Sequence, residues 1–146
     1  MKNVRRDEKG FTLIETILVL SIVMVITSSI VYVTTSKLEE TEERRFFRQF
    51  HLDMQRLQSI AIAESKYTHI YFDGNGTKYI GGLSDAPLFE YKLPKHMRLS
   101  FNSNLKRVSF HPNGTVSQFG TLYFETGTGH KTVTIYIGGG KVNYEE

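Results

Sequence analysis

Apolar residues along this chain follow three successive rhythms. From Phe11 to Val33 almost every position is aliphatic or a small hydroxyl residue, and Glu15 is the one acid in the run. Beyond it, Leu38, Phe46, Phe47, Phe50, Met54, Leu57, Ile60 and Ala61 recur at three- and four-residue steps, which is one stripe of a helix. Glu43, Arg44, Arg48, Gln55, Arg56 and Gln58 fall opposite that stripe. Neither glycine nor proline occurs between Gly10 and Gly74, so the two stretches predict one unbroken helix ending near residue 65. After Glu64 the period drops to two. Tyr67, His69 and Tyr71 then face one side of a strand and Thr68, Ile70 and Phe72 the other. Asp73-Gly74-Asn75-Gly76 turns the chain toward a second strand over Thr77 to Ile80.

The same alternation recurs in Met97, Leu99 and Phe101, in Val108 and Phe110, in Leu122 and Phe124, and in Val133, Ile135 and Ile137. Pro112-Asn113-Gly114, Gly127-Thr128-Gly129 and Gly138-Gly139-Gly140 supply reversals between these segments. Gly81 to Pro87, with its Gly, Ser, Asp and Pro, reads as an irregular loop. The fold class expected is α+β: a long N-terminal helix whose second half is wrapped by a C-terminal antiparallel sheet. Length allows one such domain.

As a helix the run from Phe11 to Val33 measures roughly 35 Å at ~1.5 Å per residue, enough for a hydrocarbon core of ~30 Å. Lys2, Arg5, Arg6 and Lys9 precede it, while Glu39, Glu40, Glu42 and Glu43 follow. Basic flanks stay cytoplasmic, so the C-terminal part is expected outside, beyond a single membrane span. An ordinary secretory signal shares the basic start, but its apolar middle is shorter than this one. The cluster Glu39 to Arg45 reads as a solvated helix face, with Glu40 and Arg44 paired at helical spacing; contact with a neighbouring subunit is its other reading.

Composition then removes several classes of chemistry. The chain has no cysteine, which excludes disulfides and thiolate metal sites, and its net charge of +3 is mild. The segment Gly127 to Thr132 has the wrong residue and context for a phosphate loop, with His130 where glycine is needed. Asp73 and Asn75 begin like a calcium loop, but Lys78 stands where glycine is required. The five histidines show no ligand spacing, and no serine sits in a nucleophile elbow. The glycosylation sequons at Asn75 and Asn113 also read as turns. The sequence supports neither an enzyme nor a metal or other cofactor. Lys95, Arg98, Lys106, Arg107, Lys131 and Lys141 are candidates for a DNA phosphate patch, with Phe101, Phe110 or Tyr136 as stacking surfaces. Solvated strand edges, where lysine blocks unwanted pairing, are the simpler reading.

Glu15 raises the sharper question, because an acid at the centre of a membrane helix costs ~2.5–3.5 kcal/mol to insert. Nothing basic lies within reach on its own helix. Its partner must come from another chain or from a new terminus, and a cut after Gly10 places an amine on Phe11, one turn away. Lys9 to Glu15, KGFTLIE, followed by the apolar run, resembles the leader of type IV pilins and type II secretion pseudopilins. That resemblance implies a leader over residues 1–10, a prepilin peptidase that cuts between Gly10 and Phe11 and methylates Phe11, and Glu15 as the subunit-pairing acid. It implies a transmembrane helix over 11–36 and an extracellular pilin domain over 37–146. Val108 to Phe124 and Lys131 to Glu145 are similar to the sheet of minor pseudopilins of the GspH/FimT type, and to minor pilins of Gram-positive competence pili in particular. The expected function is then a minor structural subunit that joins other pilins in a cell-surface filament and supports uptake of DNA. A DNA-binding tip subunit and a secretion pseudopilin are the alternatives. In FimT-type relatives an arginine-rich ending binds DNA, whereas here Lys141 is followed by Asn143 and two acids.

Overall fold

The computed structural model describes residues 12–136 and 142–145. The chain divides into two units, Met1–Thr35 and Ser36–Glu146. A single helix, α1, covers Leu13–Glu64 and contributes to both. In the first unit its apolar side chains are exposed. The hydroxyls of Ser21, Thr27, Ser28, Ser29 and Thr34 each donate to the carbonyl four residues back at 2.8–2.9 Å. Those bonds leave no side-chain donor of these residues in need of water, as a lipid environment requires.

Helix α1 stops without the usual glycine. Ser65 takes up a left-handed conformation at φ 53°. Lys66 N–H then bonds Ala61 O at 3.2 Å and Ser65 N–H bonds Ile62 O at 3.4 Å, the paired bonds of a Schellman ending.

Among the described residues the second unit holds eight strands in two antiparallel sheets, where the sequence predicted one. β1 (Thr68–Phe72), β2 (Lys78–Leu83), β3 (Pro87–Lys92) and β5 (Arg107–Phe110) form sheet A in the order β3-β2-β1-β5. β4 (Arg98–Leu99), β6 (Gly120–Thr126), β7 (Gly129–Ile135) and β8 (Val142–Glu145) form sheet B in the order β4-β6-β7-β8. Both sheets turn their alternate apolar residues toward α1. Phe46, Phe50, Met54, Leu57 and Ala61 meet Ile70, Phe72, Tyr79, Val108 and Phe110 from sheet A, and Leu99, Leu122, Phe124, Val133 and Ile135 from sheet B. Phe124 joins the layers, with its ring 5.4 Å from Phe46 and 5.7 Å from Phe72.

The period of two separated Thr68, Ile70 and Phe72 from Tyr67, His69 and Tyr71, and the structure turns the first set inside. Four expectations need correction. Leu38 is exposed, because the helix at that point precedes the sheets. Phe101 is exposed too, since β4 ends at Leu99 and the chain turns there. Gly81 to Pro87 is mostly strand: Gly81 and Gly82 lie in β2, with a register shift between them, and Pro87 opens β3. The glycines are needed because a Cβ on Gly81 would lie 2.3 Å from the Phe89 ring. Strand β3, with Phe89 and Tyr91 packed against the core, went unpredicted. Finally, Glu43 is buried, as described below. Ile137 and Gly138 to Gly140 lie outside the described residues.

Candidate functional site

Two sets of residues concern function: the start of α1 and the charged residues of the second unit. Gly10 and Phe11, where cleavage is expected, lie outside the described residues, as does Lys141. Thr12 precedes the helix, and its Oγ1 accepts from Glu15 N–H at 3.3 Å. Glu15 is the acid of the first turn. Thr12 and Glu15 therefore have the spacing of a capping box, in which an acid also meets the positive end of the helix dipole. This local role was missed in the sequence, although Thr-Leu-Ile-Glu spells it. The helix is long and apolar enough to cross a membrane by length and composition.

The proposed phosphate-contact residues are scattered. Lys95 is exposed in the turn before β4. Arg98, on β4, donates from Nε to Glu125 Oε2 at 2.6 Å, and this bond, with one from Ser100, holds the Glu125 carboxyl below its ordinary range. Arg98 pairs with Glu125, and Glu125 with His130, whereas Lys131 pairs with the buried Phe124. Strand alternation thus sets Arg98 and Lys131 on opposite faces of sheet B. Lys106 and Arg107 are at the start of β5, the edge of sheet A, and the Arg107 guanidinium lies 5.7 Å from the centre of the Tyr71 ring. Of the expected stacking surfaces, Phe110 is buried in the core, while Phe101 and Tyr136 are exposed. Those of the set that are described lie on both sheets and on both faces of sheet B.

The structure instead concentrates polar contacts on α1. Glu43 is 2% exposed and accepts from Thr128 Oγ1 at 2.7 Å and Thr128 N–H at 3.3 Å. His96 sits 3.7 Å from both Glu42 and Glu43. The β6–β7 hairpin and the turn before β4 are thereby fastened to the helix. Asp53, 5% exposed, accepts from Tyr79 Oη at 2.6 Å and from Gln49 Nε2 at 3.0 Å. Burial, and then this bond, push the Tyr79 phenol far above its ordinary value. A signal was present: Glu43 precedes Phe46 by three residues and Asp53 follows Phe50 by three, so both extend the apolar stripe. Glu40 and Arg44 do pair in solvent, at 2.7 Å. Among the described residues, no three His, Asp or Glu side chains converge on a point suited to a metal.

Comparison with known proteins agrees with this architecture. The Prokaryotic N-terminal methylation motif matches residues 5–31. The competence protein ComGD of Bacillus subtilis (strain 168) is 26% identical over 141 residues, covering 95% of this chain and 94% of that protein. The crystal structure of the type IV minor pilin FimU of Pseudomonas aeruginosa aligns with a TM-score of 0.55 at 18% identity, over 71% of this chain and 91% of FimU. The minor pseudopilin EpsH from the type 2 secretion system of Vibrio cholerae aligns at 0.54 with 13% identity, over 71% of this chain and 96% of EpsH. At those identities the two structures bear on the fold alone.

Proposed function

We propose that the chain is a member of the type IV pilin and pseudopilin superfamily and, within it, a minor subunit of a competence pilus, supporting DNA uptake. A minor pilin works with other pilins in a filament, so its chemistry is assembly. The observation that carries the competence reading is the likeness to ComGD, which runs over nearly the whole of both chains.

In this reading prepilin peptidase removes residues 1–10, cutting between Gly10 and Phe11, and methylates the Phe11 amine. The precursor spans the membrane once through the N-terminal part of α1, with the unit from residue 37 onward outside. Glu15 then pairs with the terminal amine of a neighbouring subunit. Two unit charges at 4 Å attract by about 4 kcal/mol at an effective dielectric of 20, comparable with the insertion penalty of a lone acid. The pair therefore rewards a subunit that leaves the lipid for the filament and fixes its register. Glu15→Ala removes the partner but not the apolar run. The precursor should still insert and be cleaved, yet be missing from sheared filaments, and transformation should fall. Normal recovery of the variant in filaments would refute the pairing.

The fold equally suits a secretion pseudopilin, since EpsH and FimU align about as well as each other. Deleting the gene separates the two. Lost transformation with unchanged protein secretion supports the competence pilus, and the reverse supports secretion.

A further inference from the structure

Four strands end the two sheets, and two of those edges are covered. In sheet A the outer side of β5 is closed by the bridge Phe110↔Val116 and by Ser117 N–H, which donates to Ser109 O at 2.9 Å. In sheet B the outer side of β4 meets the turn between β1 and β2, where Leu99 N–H donates to Gly76 O at 2.8 Å. Beside β3 and β8, the other two edges, no further strand lies among the described residues. Leu93 N–H donates to Thr77 O at 2.9 Å, toward β2, so the alternate residues Glu90 and Lys92 turn their N–H and C=O groups to the open side of β3. Such an edge is a template for another strand unless proline, inward charge or a covering segment blocks it. β3 has its one proline at the first position and turns Phe89 and Tyr91 inward, so none of these devices closes it.

Direction and charge match the two open edges to each other. At the start of β1 the Thr68 hydroxyl donates to Leu57 O at 2.9 Å, and at its end Phe72 lies 5.9 Å from Phe50, so β1 runs antiparallel to α1. β3, two antiparallel steps from β1, runs the same way. On sheet B, Phe124 lies 6.4 Å from Phe50, and the turn after β6 reaches Glu43 through Thr128 at 2.7 Å, so β6 is antiparallel to α1 as well. β8, again two antiparallel steps away, shares that direction. Subunits with a common membrane orientation can therefore set β3 of one beside β8 of the next as parallel neighbours. On the β3 side Lys78 holds Glu90 at 3.2 Å, the Arg56 guanidinium lies 5.4 Å from the centre of the Phe89 ring, and Lys92 is exposed, which leaves the edge cationic. β8 and the residue after it bring Glu145 and Glu146.

We propose that the open edge of β3 docks β8 of a second copy of this chain, so that sheet A of one subunit continues into sheet B of its neighbour. Main-chain hydrogen bonds across the boundary supply the affinity of such strand addition, and the opposite charges of the two edges fix which strand is accepted. The contact uses a different strand on each partner. Each subunit therefore keeps one edge free, and the array propagates instead of closing as a dimer. This deepens the filament reading and rests on it for the common orientation of the subunits.

The chain has no cysteine, so introduced thiols report alone. Leu88→Cys, at a position 43% exposed in β3, and Asn143→Cys, in β8, are each made in the full chain, mixed in lipid vesicles and treated with a short bismaleimide. The mixture should give a linked dimer and each variant alone should not, because β3 meets β8 and neither meets itself. Adding Lys92→Pro to the Leu88→Cys chain removes an outward N–H at an edge position that tolerates proline, and should abolish the link while the near-ultraviolet dichroism of the aromatic cluster stays unchanged. A mixture that does not link, a variant that links to itself as well as to the other, or a link that survives Lys92→Pro in the folded chain would each overturn the proposal. In cells, a Leu88→Cys chain that links only to a different pilin would overturn the choice of a second copy. Sheared filaments separate the two readings. If the chain is recovered in them and the vesicle mixture gives no link, this edge fails alone; if it is absent from them, the filament reading fails and the vesicle link still judges the edge.

Discussion

Tyr79→Phe should destabilise the second unit by about 2 kcal/mol while leaving its shape intact. The Tyr79 ring is fully buried, 5.4 Å from Phe50 and stacked 5.4 Å from Tyr91, and phenylalanine retains those contacts. Only the hydroxyl that donates to Asp53 at 2.6 Å disappears. A hydrogen bond to a charged group contributes about 1.5–3 kcal/mol, and here its loss leaves Asp53, 5% exposed, with the Gln49 amide as its remaining side-chain donor in the pair described above. For a unit of this size the melting temperature should drop by roughly 6–12 °C. The full chain in micelles keeps a helical membrane segment that contributes to far-ultraviolet dichroism, so the near-ultraviolet signal of the aromatic cluster is the better monitor. A cycle isolates the pair. Asp53→Leu alone strands both the phenol and the Gln49 amide, whereas the double variant strands only the amide, so the double should cost less than the sum by about 1.5–3 kcal/mol. Additive single effects, or a Tyr79→Phe melt within a degree of the parent, would show that the carboxylate does not depend on this bond.

Gly76 combines φ +68° with Leu99 O only 2.4 Å from where a Cβ would lie, and its carbonyl accepts from Leu99 N–H at 2.8 Å. Gly76→Ala should therefore cost more than the ~1–2 kcal/mol of a left-handed residue alone, and denaturant titration should show a midpoint shift well beyond that of Gly74→Ala, where nothing is near. Ser65→Gly should do the opposite, raising stability by about 1 kcal/mol through relief of the left-handed strain at the end of α1; an unchanged midpoint would argue against the Schellman ending. Asp73 loses some hydration, yet N–H bonds from Lys78 and Thr77 hold its carboxyl below its ordinary value. Its folded value being depressed, its stabilisation is present above the unfolded value and is lost as pH falls through the folded one. The parent should thus lose stability on acidification below about pH 4, and Asp73→Asn should lose less over the same interval.

Most of the fold was legible where one physical rule acted alone. The helix needed only the gap in glycine and proline, and the two-residue period of β1, β5, β6 and β7 needed only alternation. The failures came where two rules competed. Gly81 and Gly82 look like loop residues, but they lie in a strand where a side chain would collide with the Phe89 ring at Gly81 and with the backbone of Ala86 and Pro87 at Gly82. Division into two sheets depends on pairings such as β1 with β5, which join segments with β2, β3 and β4 between them; periodicity does not encode partners.

The charged residues show the same limit from the other side. Glu43 and Asp53 look like solvent-facing residues by type and like core residues by position, and position prevails because Thr128, Tyr79 and Gln49 supply donors from distant or neighbouring turns. Glu15 is the mirror case. By position it belongs to a membrane segment, and by type it belongs at a helix start, where Thr12 and the dipole already favour it. An acid stabilised by its own first turn costs less to hold in the precursor than one at mid-helix. It also remains in the turn that the Phe11 amine would join after cleavage, so a residue that eases insertion before processing is placed to select a neighbour afterwards. If that coupling holds, Glu15→Gln, which keeps a capping side chain but no charge, should insert as well as the parent and be missing from filaments as Glu15→Ala is. Incorporation of the Gln variant would mean that Glu15 acts through its cap and not through its charge.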